Sequence, residues 1–257
     1  MLSYAFGVTY DGADFHGWQR QADLPTVQST LEQALSQIAD APTMISVAGR
    51  TDAGVHAIGQ VGAFSSDASR SLQDWKRGLN ALTPTTIRVD WVVLAPEEFH
   101  PRYSATARRY VYLFHDTERA HPMLAKRVWS CAHLDADAMH RAGRVLLGEH
   151  DFSSFRGAGC QALSPLRRVN RCEVTRRGEF VVLDIEANAF VLHMVRNIAA
   201  GLQEVGTCKR AELRTLLDAK DRTQLGPTAP PDGLYLVEVS YPGQDLPAPA
   251  TLPFLGL

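Results

Sequence analysis

The sequence lacks any long apolar run, and nothing in it approaches the ~18–20 residues that a membrane span requires. No membrane association is therefore expected. Its opening, MLSYAFGVTYDG, has no basic stretch ahead of an apolar core, so a signal peptide is not expected either. Cysteine is scarce and scattered: Cys131, Cys160, Cys172 and Cys208 form no CxxC pair and no Cys/His cluster. That argues against a disulfide framework and a zinc site, and for free thiols in a reducing cytoplasm. Neither GxGxxG nor GxxxxGK[ST] occurs, so neither familiar phosphate cradle is present. The histidines, His115, His121, His133 and His140 among them, show no ligand spacing, and no metal is expected. No excess of one charge stands out, since the net charge is −2.

What is present is an ordinary globular composition. Of 257 residues, 45% are hydrophobic and 21% charged, enough apolar side chain for one large or two modest domains. The charge is unevenly spread. Residues 152–178 carry six arginines against one acid, Glu173, and residues 100–110 carry Arg102, Arg108 and Arg109 with none. A nearly neutral chain can still focus positive potential in one place, although a solvated face balanced by distant acids gives the same pattern.

Local patterning divides the chain into two halves. Residues 3–10 are rich in β-branched and aromatic residues and end at the turn signal Asp11-Gly12. Val27, Leu31, Leu35 and Ile38 recur at helical spacing behind Thr26, a suitable N-cap. Short strands are expected over 43–48 and 59–64. Ser71 and Asp74 resemble a capping box for a helix with Leu72, Trp75, Leu79 and Leu82 on one stripe. Another strand is expected over 86–94. The second half repeats the order β-α-β-β-α-β with longer loops. Its strand over 105–116 precedes a helix capped by Asp135 that runs to Gly148. A hairpin over 167–187 turns at Arg177-Gly178. A helix follows from Asn188 through Val205, then a last strand over 233–241. The fold expected is α+β, two ferredoxin-like (split βαβ) halves with antiparallel sheets joined across a central cleft. The expected domains are 1–103, 104–245 and a Pro-rich extended tail, 246–257.

Three segments have residue types suited to chemistry. In Gly49-Arg50-Thr51-Asp52-Ala53-Gly54-Val55-His56 the glycines permit sharp turns between two short strands. Asp52 there can serve as nucleophile, base or electrostatic partner, or simply as a turn aspartate bonding its own backbone. In Arg108-Arg109-Tyr110-Val111-Tyr112-Leu113-Phe114, period-2 alternation puts the aromatics on one face, suited to stacking on bases; Tyr112 and Phe114 read better as core. In the 188–197 segment, Arg196 interrupts an apolar helical run and needs an anionic partner.

Taken together, GRTDAGVHA, FHPRYSATARRYVYLF, HDFSSF, HMVRNI, TAPPDGLYLVEV, YDGADFHGWQRQ and TVQSTLEQAL resemble the TruA family of tRNA pseudouridine synthases over residues from about 3 to 241. The resemblance implies the pseudouridine synthase fold. It implies a cofactor-independent isomerase that converts uridine to pseudouridine in the anticodon stem-loop, at tRNA positions 38, 39 and 40. It implies that Asp52 is the catalytic aspartate, that Tyr110 stacks on the extruded base, that Arg196 pairs with the aspartate and that Arg50 helps displace the target base. Arg102, Arg108, Arg109, Arg156, Arg167 and Arg168 then become candidates for phosphate contacts. A cytoplasmic homodimer with tRNA as its partner follows from the same resemblance. Leu192 stands where the family commonly has a second histidine, and Ala187 where it has glycine. Two other classes compete: an RNA-binding protein without catalysis, and a two-carboxylate hydrolase using Asp52 with Asp90 or Asp184, strand residues expected to face solvent.

Overall fold

The computed structural model describes residues 1–252. The chain divides into two compact units, residues 1–106 with the segment from Tyr235 onward, and Ala107–Leu234.

In the first unit, β1 (Leu2–Tyr10) is central because its side chains are apolar on both faces, from Tyr4 through Val8. It pairs antiparallel with β3 (His56–Ser66) on one edge and β4 (Ile87–Leu94) on the other. The short β2 (Ser46–Val47) pairs antiparallel with the later part of β3. The order β4-β1-β3-β2 is the split βαβ arrangement expected from the sequence. α1 (Val27–Ala39) starts where expected, with Thr26 Oγ1 accepting from the Ser29 amide at 3.2 Å. α2 (Leu72–Leu82) starts at the Ser71–Asp74 capping box. Its stripe reaches the core only in the middle. Trp75 lies 5.6 Å from Tyr4 and 5.0 Å from Phe64, ring centre to ring centre, and Leu79 is buried, while Leu72 and Leu82 in the end turns are exposed. Burying a side chain of this size contributes about 1.5–3 kcal/mol.

The second unit is built on β5 (Ala107–Asp116), which pairs antiparallel with β9 (Phe180–Ala187) and in parallel with the short β6 (Trp129–Cys131). β9 forms the expected hairpin with β8 (Leu166–Arg177), and β7 (Gly148–Asp151) borders β8. β9 thus sits between β5 and β8, the split order again. α3 (Ala136–Gly143) packs on β8 and on α4 (Met194–Gly206); α5 (Arg214–Ala219) is short. The strand β10 (Leu234–Ser240) ends the β-α-β-β-α-β order expected of the second half, and its start pairs in parallel with the start of β3.

β5 is buried on both faces, Val111 and Leu113 as fully as Tyr112 and Phe114, so the last two are core residues as expected. Two local expectations are corrected. α3 stops at Gly143, tightens into a 3₁₀ turn over Arg144–Leu146, and gives way to β7, whose backbone is claimed by β8. α4 begins at Met194 rather than after Asn188. The Asn188 side-chain oxygen instead accepts from the amides of Arg168 and Ala189, which ties β9 to β8, and His193 adopts a left-handed backbone (φ 60°) that delays the helix. Of the tail expected to be extended, residues 246–252 have no regular secondary structure, and 253–257 lie outside the described residues. Residues 241–249, except Gly243 and Asp245, help line a cavity of about 360 Å³ against Gly7, Trp91 and Val239. Among the described residues no helix is long and apolar enough to cross a membrane.

Candidate active site

The loop from Gly49 to Val55 joins β2 to β3 and is held by named contacts along its length. The Ala48 amide donates to the Val61 carbonyl at 2.9 Å just before it leaves the sheet. The Gly49 carbonyl accepts from Gln60 Nε2 at 2.7 Å. Thr51 is buried, its hydroxyl 2.8 Å from the Tyr10 hydroxyl and its carbonyl accepting from the Trp18 amide at 3.0 Å. The Asp52 carbonyl accepts from the Val55 amide at 3.2 Å, closing a turn. The chain then enters β3 at His56, whose Nδ1 accepts from the Gly12 amide at 3.1 Å and whose ring stacks on Tyr235 at 4.6 Å.

A second segment, residues 12–18, cradles this loop. Besides the Trp18 contact, the Phe15 carbonyl accepts from the Gly54 amide at 3.2 Å. The approach is close enough to require glycine twice. A Cβ on Gly12 would run into the Val55 carbonyl, and one on Gly17 would sit 2.8 Å from the Thr51 carbonyl oxygen and 3.0 Å from the Asp52 carbonyl carbon. Gly17 also has φ +87°, which side-chain-bearing residues rarely adopt. Sequence patterning missed this role for GADFHGW. Two glycines five apart in a non-periodic stretch were the available signal.

These contacts fix the peptide planes on both sides of Asp52, leaving a half-buried carboxylate on a stiff turn beside the exposed Arg50. A carboxylate so placed can attack an electrophilic carbon or take a proton. Tyr10, wholly enclosed, has its phenol pushed up to about 12 by burial, partly offset by the hydrogen bonds to Thr51 and Gln60, so it stays protonated.

Tyr110 and Arg196 belong to the second unit. Tyr110 is 9% exposed and meets the ring of Phe190 edge-on at 5.1 Å. Arg196 Nε donates to the Ala229 carbonyl at 2.8 Å. The neighbouring Asn197 is fully buried: its Nδ2 donates to the Phe155 carbonyl at 2.8 Å, and its Oδ1 accepts from Thr228 at 2.8 Å and Arg222 at 3.2 Å. Tyr112 donates its hydroxyl proton to the Pro230 carbonyl at 2.8 Å. The TAPPDG segment thus supplies backbone acceptors that hold Arg196 and Tyr112. Asn197 is a further residue missed in the sequence, because a polar residue in an apolar helical run reads first as a break in the stripe.

The basic candidates sort by their partners. Arg109 makes two hydrogen bonds to the Asp184 carboxylate, 2.8 and 2.7 Å, and Arg171 approaches the same group at 3.5 Å. Arg156 donates to the Cys160 and Ala162 carbonyls, Arg167 to those of Ser164 and Leu166, and Arg108 to that of Asn188. Arg102 and Arg168 are exposed, Arg102 5.8 Å over the Tyr103 ring and Arg168 3.7 Å from Glu149. Asp184 and Asp90 do not face solvent as expected. Asp184 holds Arg109, and Asp90 accepts from Thr9 and Arg88, each at 2.7 Å, so both carboxylates tie strands together. The four histidines have separate local roles as well: His115 stacks on Phe180, His121 caps a 3₁₀ turn, His140 accepts from the Val174 amide, and His133 lies 3.6 Å from Glu118.

Comparison with known proteins matches residues 8–104 and 142–242 to a family described as tRNA pseudouridine synthase. The chain is 49% identical over 256 residues to a tRNA pseudouridine synthase A of Pectobacterium atrosepticum, covering 98% of this chain and 90% of the relative. It is 50% identical over 249 residues to the protein of that name from Escherichia coli strain SMS-3-5, covering 95% and 92%. Among solved structures, one titled as the archaeal box H/ACA sRNP Nop10-Cbf5 complex aligns with 78% of this chain and 44% of that chain. Its TM-score is 0.35 and its identity 14%, too distant to carry an argument.

Proposed function

The chain belongs to the TruA family of tRNA pseudouridine synthases and isomerises uridine to pseudouridine in the anticodon stem-loop of tRNA; from that premise we propose that Asp52 is the catalytic carboxylate. The observation that carries this reading is the stiff Gly49–Val55 turn, which presents Asp52 between two fixed peptide planes.

The reaction breaks the N1–C1′ bond, turns the uracil and forms a C5–C1′ bond. N1 gains a proton and C5 loses one, so no oxidant, reductant or energy source is consumed. An ionised Asp52 serves either as nucleophile at C1′ or as base for a sugar proton, and both routes need the carboxylate charged. Arg196 is assigned as its counter-ion, since a nearby cation favours the ionised form. Tyr110 is assigned to stack on the extruded base, with its hydroxyl available for the C5 proton. Arg50 is assigned to help displace that base. Flipping a base costs on the order of a few kcal/mol, least beside a flexible loop. The arginine candidates, Arg102 and Arg168 foremost because they are exposed, supply phosphate contacts toward that cost. We extend the reading to a cytoplasmic homodimer, testable by sedimentation equilibrium of the purified protein.

The direct test is Asp52→Asn, nearly isosteric but unable to attack or to accept the proton. Tritium release from C5-labelled tRNA should vanish while tRNA binding persists. Turnover within tenfold of wild type would remove Asp52 from the chemistry.

A further inference from the structure

We infer that Gln60, Tyr10 and Thr51 form a positioning network for Asp52, so that loss of a single hydroxyl within it slows isomerisation without weakening tRNA binding. The inference rests on the reading of Asp52 as the catalytic carboxylate.

The network has a direction. The Gly49 carbonyl can only accept, so the Gln60 group 2.7 Å from it is the NH₂, and the amide orientation is settled by that partner. The same nitrogen lies 3.4 Å from the Tyr10 oxygen, which therefore accepts from it and is left to donate its own proton to Thr51 Oγ1 at 2.8 Å. Tyr10 is buried and its phenol stays protonated, so it is a lasting neutral donor rather than an acid or base. Gln60 is wholly buried, and its Oε1 has no hydrogen-bond partner among the described residues. A leucine of similar size would fill the same space in β3 without burying that unmet acceptor. Its presence is accounted for by what the other end of the amide does, which is to hold the first residue of the Asp52 loop.

The three side chains reach the loop at two points, Gly49 and Thr51, and Thr51 is held again through its carbonyl by Trp18. With the Asp52–Val55 turn, the backbone on either side of Asp52 is fixed. Only the two side-chain torsions of Asp52 remain to be set. Releasing the Thr51 side chain leaves the peptide entering Asp52 held by the Trp18 amide alone, and a displacement of about 1 Å at a reacting group costs roughly 100-fold in rate. None of the three is expected to touch RNA, so binding should be spared.

The experiment uses the full-length protein and C5-tritiated tRNA, with single-turnover rate and tRNA affinity measured separately for Tyr10→Phe, Thr51→Val, Thr51→Ser and Gln60→Leu. Tyr10→Phe and Thr51→Val should each lower the rate by roughly 10–100-fold with affinity within about twofold of wild type. Thr51→Ser keeps the hydroxyl and should restore most of the rate. A double variant combining Tyr10→Phe with Thr51→Val should be no slower than its slower parent, as expected for one network. Gln60→Leu removes the unmet Oε1 along with the donor. It should leave the melting temperature nearly unchanged while slowing the reaction, a combination that a purely structural role does not produce. If Tyr10→Phe fails to fold, the Thr51→Val and Thr51→Ser pair decides alone. Wild-type rates for Thr51→Val and Gln60→Leu overturn the inference. Asp52→Asn is run alongside: should it be inactive while those variants turn over normally, only the positioning role falls, whereas an active Asp52→Asn removes the reading beneath it.

Discussion

Replacing Asn197 by leucine should be among the more costly single changes in the second unit. The side chain is fully buried and makes three hydrogen bonds. Leucine matches its size, so no large cavity is left, and the loss is almost entirely polar. The Phe155 carbonyl, buried, loses its Nδ2 donor, and an unmet buried acceptor costs about 1–3 kcal/mol. Arg222 and Thr228 lose their shared acceptor but still bond each other at 3.1 Å, and Arg222 retains the Leu225 carbonyl. Their loss adds about 0.5–1.5 kcal/mol. Together this gives about 2–4 kcal/mol, or a fall of roughly 5–15 °C in melting temperature for a unit of this size. Scanning calorimetry and far-UV circular dichroism would measure it, with tritium release below the new transition reporting whether turnover survives a change one residue from Arg196 on α4. A melting temperature within about 1 °C of wild type would refute the view that Asn197 anchors α4.

Gly17→Ala should cost about 1–2 kcal/mol from the positive φ alone and should slow turnover further, since the new Cβ presses on the Thr51–Asp52 peptide; an unchanged rate would show that the cradle does not matter. Tyr110→Phe keeps the ring and loses the hydroxyl. If that hydroxyl handles the C5 proton, the variant should bind tRNA normally and stall after glycosidic cleavage, whereas near-wild-type activity for both Phe and Ala would exclude Tyr110 from the site. The Asp74 carboxyl is held below its ordinary value of 3.8, mainly by the Ser71 hydroxyl and amide. Its folded-state pKa lies below the unfolded one, so its stabilising effect is complete above about pH 4 and fades as pH falls through the lowered value. Asp74→Asn should therefore narrow the stability gap to wild type on acidification through that range, as followed by urea titration; a gap independent of pH would contradict the capping assignment.

Much of this fold is legible in the sequence because local signals agree with the tertiary outcome. Thr26 and Ser71 cap helices in the structure as their spacing predicts, and the first unit follows the β-α-β-β-α-β order. Expectation and structure part where tertiary contacts outweigh local preference. Asn188 has the chemistry of an N-cap, yet the edge of β8 claims its side chain, and α4 waits for His193. The 136–148 stretch gives up its last turns because β8 takes the backbone at Gly148. The Asp52 loop stands out in the sequence through its glycines and acid, but its supports do not. Gln60 and Tyr10 look like ordinary strand residues until β1 and β3 bring them beneath Thr51. The arginine clusters show the limit of charge counting, since Arg109 and Asp184 pair across β5 and β9 although 75 positions separate them.

The central claim, that this chain makes pseudouridine in the anticodon stem-loop through Asp52, is tested most directly in cells. Pseudouridine would be mapped across all tRNAs in a strain lacking the protein, then in the same strain carrying either the wild-type chain or Asp52→Asn at matched abundance. The account predicts that pseudouridines of the anticodon stem-loop disappear in the deletion, return with the wild-type chain and stay absent with Asp52→Asn. Stem-loop pseudouridine that persists in the deletion, or that returns with Asp52→Asn, would contradict it.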